Sequence, residues 1–397
     1  MKKTLLIVTH HPLPETSGSS MRTMHFVRFF AKLGPIDLAY SFGQPHQDGR
    51  ESPFRSENHI DFREEESFAR RFVKGVVRRR PMPVYSYTEE TIDRLRALFR
   101  AESYDYVLVR SVYPSGALFD LPKEARPRTI FDLDDSLSDS LYEHFLTGVS
   151  GPRRWLLDLN RVLLRRHEAH SAARAGVCLI CNLSDTEKMS TSSGRLPVLV
   201  PNVFSPTRAP ASIGTTVGFE NADELLFVGT LSYRPNEEGL RWFIASILPR
   251  FLLEYPEATL TVVGRSPSSD LAALCEATPG VKLHADVEDV LEYYSRCRAV
   301  VVPLLTGGGT RVKILESVFA ERPVIATPLG ADGLDFGDGK ELLLFETAEQ
   351  FIEAYGRLSS KPIYDGLVDS ARLMFDEKYS PDVFDGIMTS VLYRMDR

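Results

Sequence analysis

The residues from Ala299 to Leu334 constrain the fold of this chain more than any other segment. They predict a buried strand over 300–302, a glycine run at 307–309, a helix from about 311 to 321 and a second buried strand over 323–326. Strand, helix and strand in this order form a βαβ unit, whose two strands pair in parallel. A glycine-rich turn that enters a helix leaves backbone N–H groups unpaired at the positive end of the helix dipole, so it favours a bound phosphate.

The side chains that follow this turn also favour a bound phosphate. Thr310 is expected to cap the helix, which places Arg311 and Lys313 in its first turn, where cations are unfavourable unless an anion is bound. Glu316 follows about one turn later and faces roughly the same way as Lys313. A diphosphate that carries a hydroxyl-rich group would satisfy all of them. An ordinary glycine loop with two solvated basic residues is the simpler alternative.

This segment resembles the donor-binding signature of the family 4 glycosyltransferases, which transfer a sugar from a nucleotide diphosphate donor. Glu316 matches the glutamate that meets the nucleotide ribose in that family. The glutamate that meets the donor sugar would fall at Gly308, so the chain is similar instead to a branch with a Gly-x-Gly-Thr-Arg-x-Lys-x-x-Glu segment. The resemblance implies an α/β fold of the GT-B type, in which two Rossmann-like domains with parallel sheets face each other across a cleft.

The resemblance also implies which other residues meet the donor. The family has a Val-Gly-x-Leu segment followed by a basic residue that contacts the diphosphate, and its counterparts are Gly229 and Arg234, with Asn236 nearby. Near the N-terminus, Gly18 and Arg22 fit a Ser-Gly-Gly loop followed by Ile-Arg-Thr, with a serine in place of the second glycine. The predicted donor-binding residues are Gly18, Arg22, Gly229, Arg234, Asn236, Gly307, Gly308, Gly309, Thr310, Arg311, Lys313 and Glu316.

The predicted catalytic residues come from both halves of the chain. In the family, one strand end faces the acceptor and often presents a His-Asp pair, and Asp134 and Asp135 fall in that place. Arg234 and Lys313, together with Arg311 and the amides of the glycine loop, would stabilise the negative charge that builds on the departing nucleoside diphosphate. The resemblance implies retention of the anomeric configuration, and this charge stabilisation predicts activity without a metal or another cofactor. Asp132 and Asp134 also form an Asp-x-Asp, which holds Mn²⁺ or Mg²⁺ in single-domain glycosyltransferases, so a metal-dependent transferase is one alternative.

Length and local composition predict two domains. A chain of 397 residues exceeds one typical domain. A stretch rich in Pro, Ser, Thr and Gly without periodicity, over 204–221, marks a linker. We therefore expect an acceptor-binding Rossmann-like domain over 1–203 and a donor-binding one over 222–375. The resemblance implies that 376–397 returns as a helix to the first domain.

Charge and cysteine content indicate which classes of partner and which compartment to expect. Lys and Arg number 47 against 54 Asp and Glu, and the net charge of −7 argues against a nucleic-acid binder. The apolar runs are too short to span a bilayer, and four cysteines fit a reducing compartment, so we expect a cytoplasmic protein. Two basic amphipathic stretches, Arg70 to Arg80 and Arg153 to Arg166, suggest a peripheral contact with an anionic membrane surface.

The predicted function is therefore a glycosyltransferase of the hexosyltransferase type, with UDP among the candidate nucleotides. Its acceptor is expected to be lipid-linked, a polysaccharide or a small molecule, which fits assembly of cell-envelope polysaccharide or glycolipid. A nucleotide-sugar 2-epimerase of the same fold would convert the donor without any acceptor. A non-catalytic protein that only holds a nucleotide sugar is a third alternative, because the first glutamate and the histidine of the family are missing here.

Overall fold

The chain forms two compact units. In the computed structural model, the first unit comprises Met1–Pro201 with Phe384–Arg397, and the second comprises Asn202–Val383; they are called the N-terminal and the C-terminal unit below. The structure describes residues 1–15, 17–43, 52–62, 87–123, 126, 128–134, 136, 138, 149–182, 186, 189, 193–194, 196–205, 219, 223–287, 289–307 and 311–397. The unit boundary lies close to the predicted domain end at residue 203, and most of the predicted linker falls outside the described residues.

The N-terminal unit contains a sheet in which the described residues form seven strands, in the order β3-β2-β1-β4-β5-β6-β7. Its strands are β1 (Thr4–Ile7), β2 (Ile36–Tyr40), β3 (Ser56–His59), β4 (Tyr106–Arg110), β5 (Thr129–Asp134), β6 (Val177–Ile180) and β7 (Val198–Leu199). Its helices are α1 (Gly18–Ala31), α2 (Glu89–Ala101), α3 (Val112–Asp120) and α4 (Gly151–Arg174). The pairings between these strands are parallel.

The C-terminal unit contains a second sheet, in which six strands are described, in the order β10-β9-β8-β11-β12-β13. Its strands are β8 (Glu224–Thr230), β9 (Thr259–Arg265), β10 (Val281–Ala285), β11 (Ala299–Val302), β12 (Val324–Ala326) and β13 (Leu343–Leu344). Its helices are α5 (Arg234–Trp242), α6 (Leu248–Glu254), α7 (Ser269–Ala277), α8 (Leu291–Arg296), α9 (Val312–Phe319), α10 (Pro328–Ala331), α11 (Ala348–Arg357) and α12 (Lys361–Lys378). A π-helical turn over Phe243–Ile247 joins α5 to α6.

Both sheets have the strand order 3-2-1-4-5-6 of a Rossmann fold, which confirms the predicted pair of parallel Rossmann-like sheets. Strands such as β1 and β11 are buried along their whole length, which explains why they are continuous apolar runs rather than alternating ones. The order reverses between β1 and β4 and again between β8 and β11. Ligands of such folds bind outside the carboxyl ends of the strands at these switch points.

The last helix, α13 (Pro381–Asp396), begins in the C-terminal unit and packs in the N-terminal unit from Phe384 onward. Phe384 is buried and contacts Phe26 of α1 edge-on, with ring centroids 5.0 Å apart. Near the end of the helix, Asp396 accepts a hydrogen bond of 2.9 Å from the Tyr106 hydroxyl. Among the described residues, no helix is long and apolar enough to cross a membrane.

We predict that Phe384→Ala lowers the free energy of unfolding by about 3–5 kcal/mol, because it removes a buried ring and leaves a cavity against α1. Urea denaturation measures the change. Tyr393→Ala is the matched control on the same helix, since its side chain is exposed. A loss of stability that is equal in the two variants would contradict the packing role of Phe384.

Candidate functional site

The candidate site lies at the carboxyl ends of β8 and β11, where the order of the C-terminal sheet reverses. The loop after β8 leads into α5, and the loop after β11 leads into α9. Because the two strands are parallel neighbours, both loops leave the same edge of the sheet side by side. The predicted donor-binding residues of this unit therefore come from two adjacent loops and the helices that follow them.

Glycines allow α5 and the loop after β11 to approach each other closely. A Cβ atom at Gly239 would lie 2.3 Å from the carbonyl oxygen of Pro303, a distance that no side chain tolerates. Gly307 has φ +99°, in the left-handed region, and a Cβ there would lie 3.0 Å from the ring of Pro235. The start of α5 thus packs directly against the glycine loop. Gly308, Gly309 and Thr310 lie outside the described residues.

Lys313 extends from the first turn of α9 to the end of β8. Its ammonium donates a hydrogen bond of 2.8 Å to Oδ1 of Asn236 and lies 4.7 Å from the centroid of the Phe227 ring. The amide nitrogen of Asn236 in turn donates to the carbonyl oxygen of Thr230, at 2.9 Å. A Cβ at Gly229 would lie 2.8 Å from this amide nitrogen and 3.0 Å from the ammonium. Three predicted residues, Gly229, Asn236 and Lys313, are therefore in mutual contact.

The surroundings of Lys313 disfavour its charged form. Burial, and to a smaller extent the nearby Arg311 guanidinium, lower the pKa of Lys313 to about 7, although the charge of Glu316 acts in the opposite direction. The hydrogen-bond partner of the ammonium is neutral. A cation with these neighbours gains most from an anionic ligand, because the ligand replaces both the lost hydration and the missing counter-charge.

Arg311 holds the glycine loop in place. It is buried, and its Nη2 donates to the carbonyl oxygens of Gly307, at 2.7 Å, and Leu329 of α10, at 3.1 Å. Arg311 also occupies the N-cap position of α9, without a side-chain hydrogen bond to the helix. The prediction that Thr310 caps this helix is therefore wrong, since the helix begins one residue later, at Val312. The helix also ends at Phe319, before the predicted end.

Glu316 is buried one turn further along α9 and bonded to Tyr294 of α8. The Tyr294 hydroxyl donates to Oε2 of Glu316 at 2.9 Å. Burial raises the pKa of Glu316, although the hydrogen bond from Tyr294 and the charge of Lys313 oppose this shift. Sequence reasoning missed Tyr294, because a tyrosine in an apolar helical segment has the pattern of an ordinary core residue.

Arg234 begins α5 and is exposed. Its Nε donates to Oε1 of Glu238 at 2.5 Å, one turn along the same helix. The other carboxylate oxygen of Glu238 accepts from the Thr306 hydroxyl at 3.1 Å, just before the glycine loop. Arg234 is thus at the edge of the candidate site, held there by a carboxylate that also binds the loop.

The N-terminal switch point carries a different charged group. Arg22 is buried, and it donates to both carboxylate oxygens of Asp132, at 2.6 and 3.0 Å, and to the carbonyl oxygen of Val200, at 2.8 Å. Arg110 donates to Asp132 and to Asp134, at 2.7 Å each. Burial by itself would raise the pKa of Asp132, but the two guanidinium groups hold it below its usual range. The role of Arg22 at the donor stays a prediction, and its guanidinium already binds three oxygens of its own unit.

Asp132 and Asp134 do not form an open pair of carboxylates for a divalent cation. Both oxygens of Asp132 accept from arginines, which removes the ligand that an Asp-x-Asp metal site needs. The described residues contain no cluster of three His, Cys, Asp or Glu side chains that could hold a metal ion. Asp134 is partly exposed and has φ +67°, a strained backbone that occurs often at functional sites. Asp135 lies outside the described residues.

A known family matches the part of the chain that holds the candidate site. Residues 222–361, which contain it, match the model of the family described as glycosyl transferases group 1. A curated relative, an uncharacterized 44.6 kDa protein in the cps region of Klebsiella pneumoniae, is 27% identical over 128 residues; these are 30% of this chain and 33% of that protein. The chain thus aligns with about a third of the length of this relative.

Three solved structures share the fold over nearly the whole chain. HepE of Anabaena, in complex with UDP and glucose, has a TM-score of 0.68 at 13% identity and covers 98% of this chain and 99% of its own. Sucrose-phosphate synthase of Thermosynechococcus elongatus has a TM-score of 0.68 at 16% identity, covering 100% and 99%. A glycosyltransferase of Rickettsia africae has a TM-score of 0.67 at 10% identity, covering 100% and 99%. The GT-B fold that the sequence predicted is thereby confirmed, and the match to group 1 glycosyltransferases covers residues 222–361.

We predict that Glu316→Gln stabilises the protein more at pH 8 than at pH 5. A buried carboxyl group whose folded pKa is raised costs stability as pH rises from about 4.5 through that pKa, because the folded state then holds the proton more tightly than the unfolded state. The glutamine keeps the shape and carries no charge. Urea denaturation at both pH values measures the difference, with the exposed Glu276→Gln as the control. An equal effect of Glu316→Gln at both pH values would contradict the buried carboxylate.

Proposed function

We propose that this chain, whose residues 222–361 form a group 1 glycosyltransferase domain, transfers a sugar from a nucleotide diphosphate sugar to an acceptor. The observation that supports this most is the Lys313 ammonium, which lies at the switch point between β8 and β11 with a neutral hydrogen-bond partner. A diphosphate is the part of such a donor that supplies the missing negative charge. The donor would bind with its phosphates toward the start of α9.

The chemistry needs stabilisation of the leaving group. When the bond between sugar and phosphate breaks, negative charge builds on the departing nucleoside diphosphate, and fixed positive groups lower the barrier. Lys313 and Arg234 supply positive charge at the two loops. The first backbone N–H groups of α9 add the positive end of a helix dipole. Arg311 contributes by holding the loop through Gly307 and Leu329.

Glu316 would hold the ribose of the nucleotide. Because Tyr294 already donates to Oε2, the other carboxylate oxygen is the one that accepts hydrogen bonds from the ribose hydroxyls. A carboxylate is a strong acceptor when it is buried and charged. Binding of the ribose would thus offset part of the cost of keeping Glu316 ionised in the interior.

The finer features of the reaction rest on the resemblance and on the relatives. We propose retention of the anomeric configuration without a divalent metal, with Asp134 at the end of β5 facing the acceptor. UDP-glucose is the first donor to test, because HepE was crystallised with UDP and glucose. The cps region of the Klebsiella pneumoniae relative supports an acceptor in cell-envelope polysaccharide or glycolipid assembly. A 2-epimerase or a non-catalytic binder of nucleotide sugars would need no acceptor.

We predict that Lys313→Ala weakens binding of UDP or GDP by roughly 10- to 150-fold, because a charge-assisted hydrogen bond contributes about 1.5–3 kcal/mol. Calorimetry on the purified chain measures the affinity. Lys282→Ala is the matched control, an exposed lysine of the same unit. If Lys313→Ala bound every nucleoside diphosphate as tightly as the wild type, Lys313 would not belong to the donor site.

Activity itself is tested by release of nucleoside diphosphate from a panel of donors, in EDTA, with and without a cell-envelope lipid extract. Release that requires the extract supports transfer. Conversion of the donor sugar without any acceptor would favour the epimerase, and binding without turnover would favour the non-catalytic alternative.

Activity that disappears in EDTA and returns with Mn²⁺ would overturn the metal-independent mechanism.

A membrane contact of the N-terminal unit is the last part of the proposal. On α4, Trp155 and Val162 are exposed one above the other, next to the exposed Arg165 and Arg166. Apolar and basic side chains on one helix face suit an anionic lipid surface, where each cation adds about 1 kcal/mol. The other basic stretch, Arg70 to Arg80, lies outside the described residues.

We predict that the chain sediments with anionic vesicles at low salt and is released at high salt. Trp155→Ala combined with Arg165→Glu should reduce this binding, whereas Arg250→Glu, an exposed arginine of the other unit, should not. Equal partitioning onto neutral and anionic vesicles, or none onto either, would contradict the membrane contact and favour a soluble acceptor.

A further inference from the structure

We propose that Asn236 is a positioning residue that holds the Lys313 ammonium at the end of β8 without neutralising it, so that the diphosphate of the ligand supplies the counter-charge. This inference rests on the proposed function, since it assumes a diphosphate ligand. It assigns to Asn236 a role different from the direct donor contact expected from the sequence. Asn236 acts on the ligand only through Lys313. Gly229 has no side chain, and this leaves space for both the Asn236 amide and the Lys313 ammonium.

The orientation of the Asn236 amide follows from its two partners. The Thr230 carbonyl oxygen can only accept a hydrogen bond, and the Lys313 ammonium can only donate one. A single amide orientation satisfies both, with Nδ2 toward Thr230 and Oδ1 toward Lys313. The amide therefore presents an oxygen to the ammonium at 2.8 Å, and the end of the β8 strand fixes its direction.

Gly229 makes this arrangement possible. The volume that a Cβ would occupy there is filled by the amide nitrogen of Asn236, at 2.8 Å, and by the ammonium of Lys313, at 3.0 Å. On another side, the ring of the fully buried Phe227 lies 4.7 Å from the ammonium. The ammonium is thus fixed by one amide oxygen, one aromatic ring and the absence of one side chain.

None of these contacts brings a negative charge to Lys313. Arg311 and Glu316, on the same segment as Lys313, act in opposite directions on the Lys313 pKa, and with burial as the main cause this pKa is lowered to about 7. On α5, the two nearby charged side chains, Arg234 and Glu238, form an ion pair with each other. On α8, the nearby titratable side chain is Tyr294, which donates a hydrogen bond to Glu316. An aspartate at position 236 would have nearly the same shape as Asn236 and would pair with the ammonium internally, in place of the ligand.

The first test needs no ligand. In protein labelled with ¹³C at the lysine ε-carbons, the titration of Lys313 is followed by NMR, with Lys313→Arg identifying its signal. We expect Asn236→Asp to raise the pKa of Lys313 by more than one unit, because a carboxylate replaces a neutral oxygen. Glu238→Gln is the control, since Glu238 is bonded to Arg234 and Thr306 instead. An unchanged Lys313 titration in Asn236→Asp would overturn the proposal.

The second test measures UDP binding by calorimetry at pH 8 in buffers of different ionisation enthalpy. The wild type should take up a proton on binding, and Asn236→Asp should take up none and bind roughly 10-fold more weakly or worse. Gly229→Ala should weaken binding as well, by displacing the amide and the ammonium, while Gly366→Ala, with nothing within 4 Å of its Cβ position, should not. The proposal would be overturned if the Asn236→Asp variant bound UDP with the affinity of the wild type and took up a proton as the wild type does. A wild type that binds no nucleoside diphosphate would refute the proposed function, and the ligand-free titration would still decide the role of Asn236.

Discussion

The parallel pairing of β8 with β11 is the constraint on which the candidate site depends. These strands are neighbours in the sheet but distant in sequence, so their following loops emerge together and no helix separates them. The pairing places the start of α5 against the loop that leads to α9, and Gly239 and Gly307 allow the two backbones to approach. A side chain on α9 can then reach the end of β8. The contact between Lys313 and Asn236 is a consequence of this topology.

The two units handle buried charge in opposite ways. In the N-terminal unit, Arg22 and Arg110 are matched by Asp132 and Asp134, and the group has no net charge to offer a ligand. Breaking such a buried group is costly, because each remaining charge stays in the interior without its partner. These four side chains therefore fix β4, β5 and α1 relative to one another. A role in binding would have to be additional to that structural one.

In the C-terminal unit, the charges at the switch point are left partly uncompensated. Burial disfavours the charged forms of both Lys313 and Glu316, which shifts the pKa of the first downward and that of the second upward. Shifts in these directions reduce stability near neutral pH, and a fold retains such groups where they serve another purpose. A nucleoside diphosphate is complementary to both, since its phosphates are anionic and its ribose donates hydrogen bonds. The same geometry that costs stability would thus prepare the site for the proposed nucleoside diphosphate.

The sequence by itself determined the class of fold. Apolar runs separated by helical periods favour parallel strands, and the glycine run before Arg311, Lys313 and Glu316 predicts an anion site, because both signals depend on neighbours in the chain. Only the tertiary structure decided which of these side chains meet. The Tyr294 hydroxyl on Glu316, the Asn236 amide on Lys313 and the arginines on Asp132 join residues 22 to 110 positions apart, and no local pattern encodes such contacts. The start of α9 at Val312 has the same cause, because the side chain of Arg311 is drawn to carbonyl oxygens of Gly307 and Leu329 and does not cap the helix.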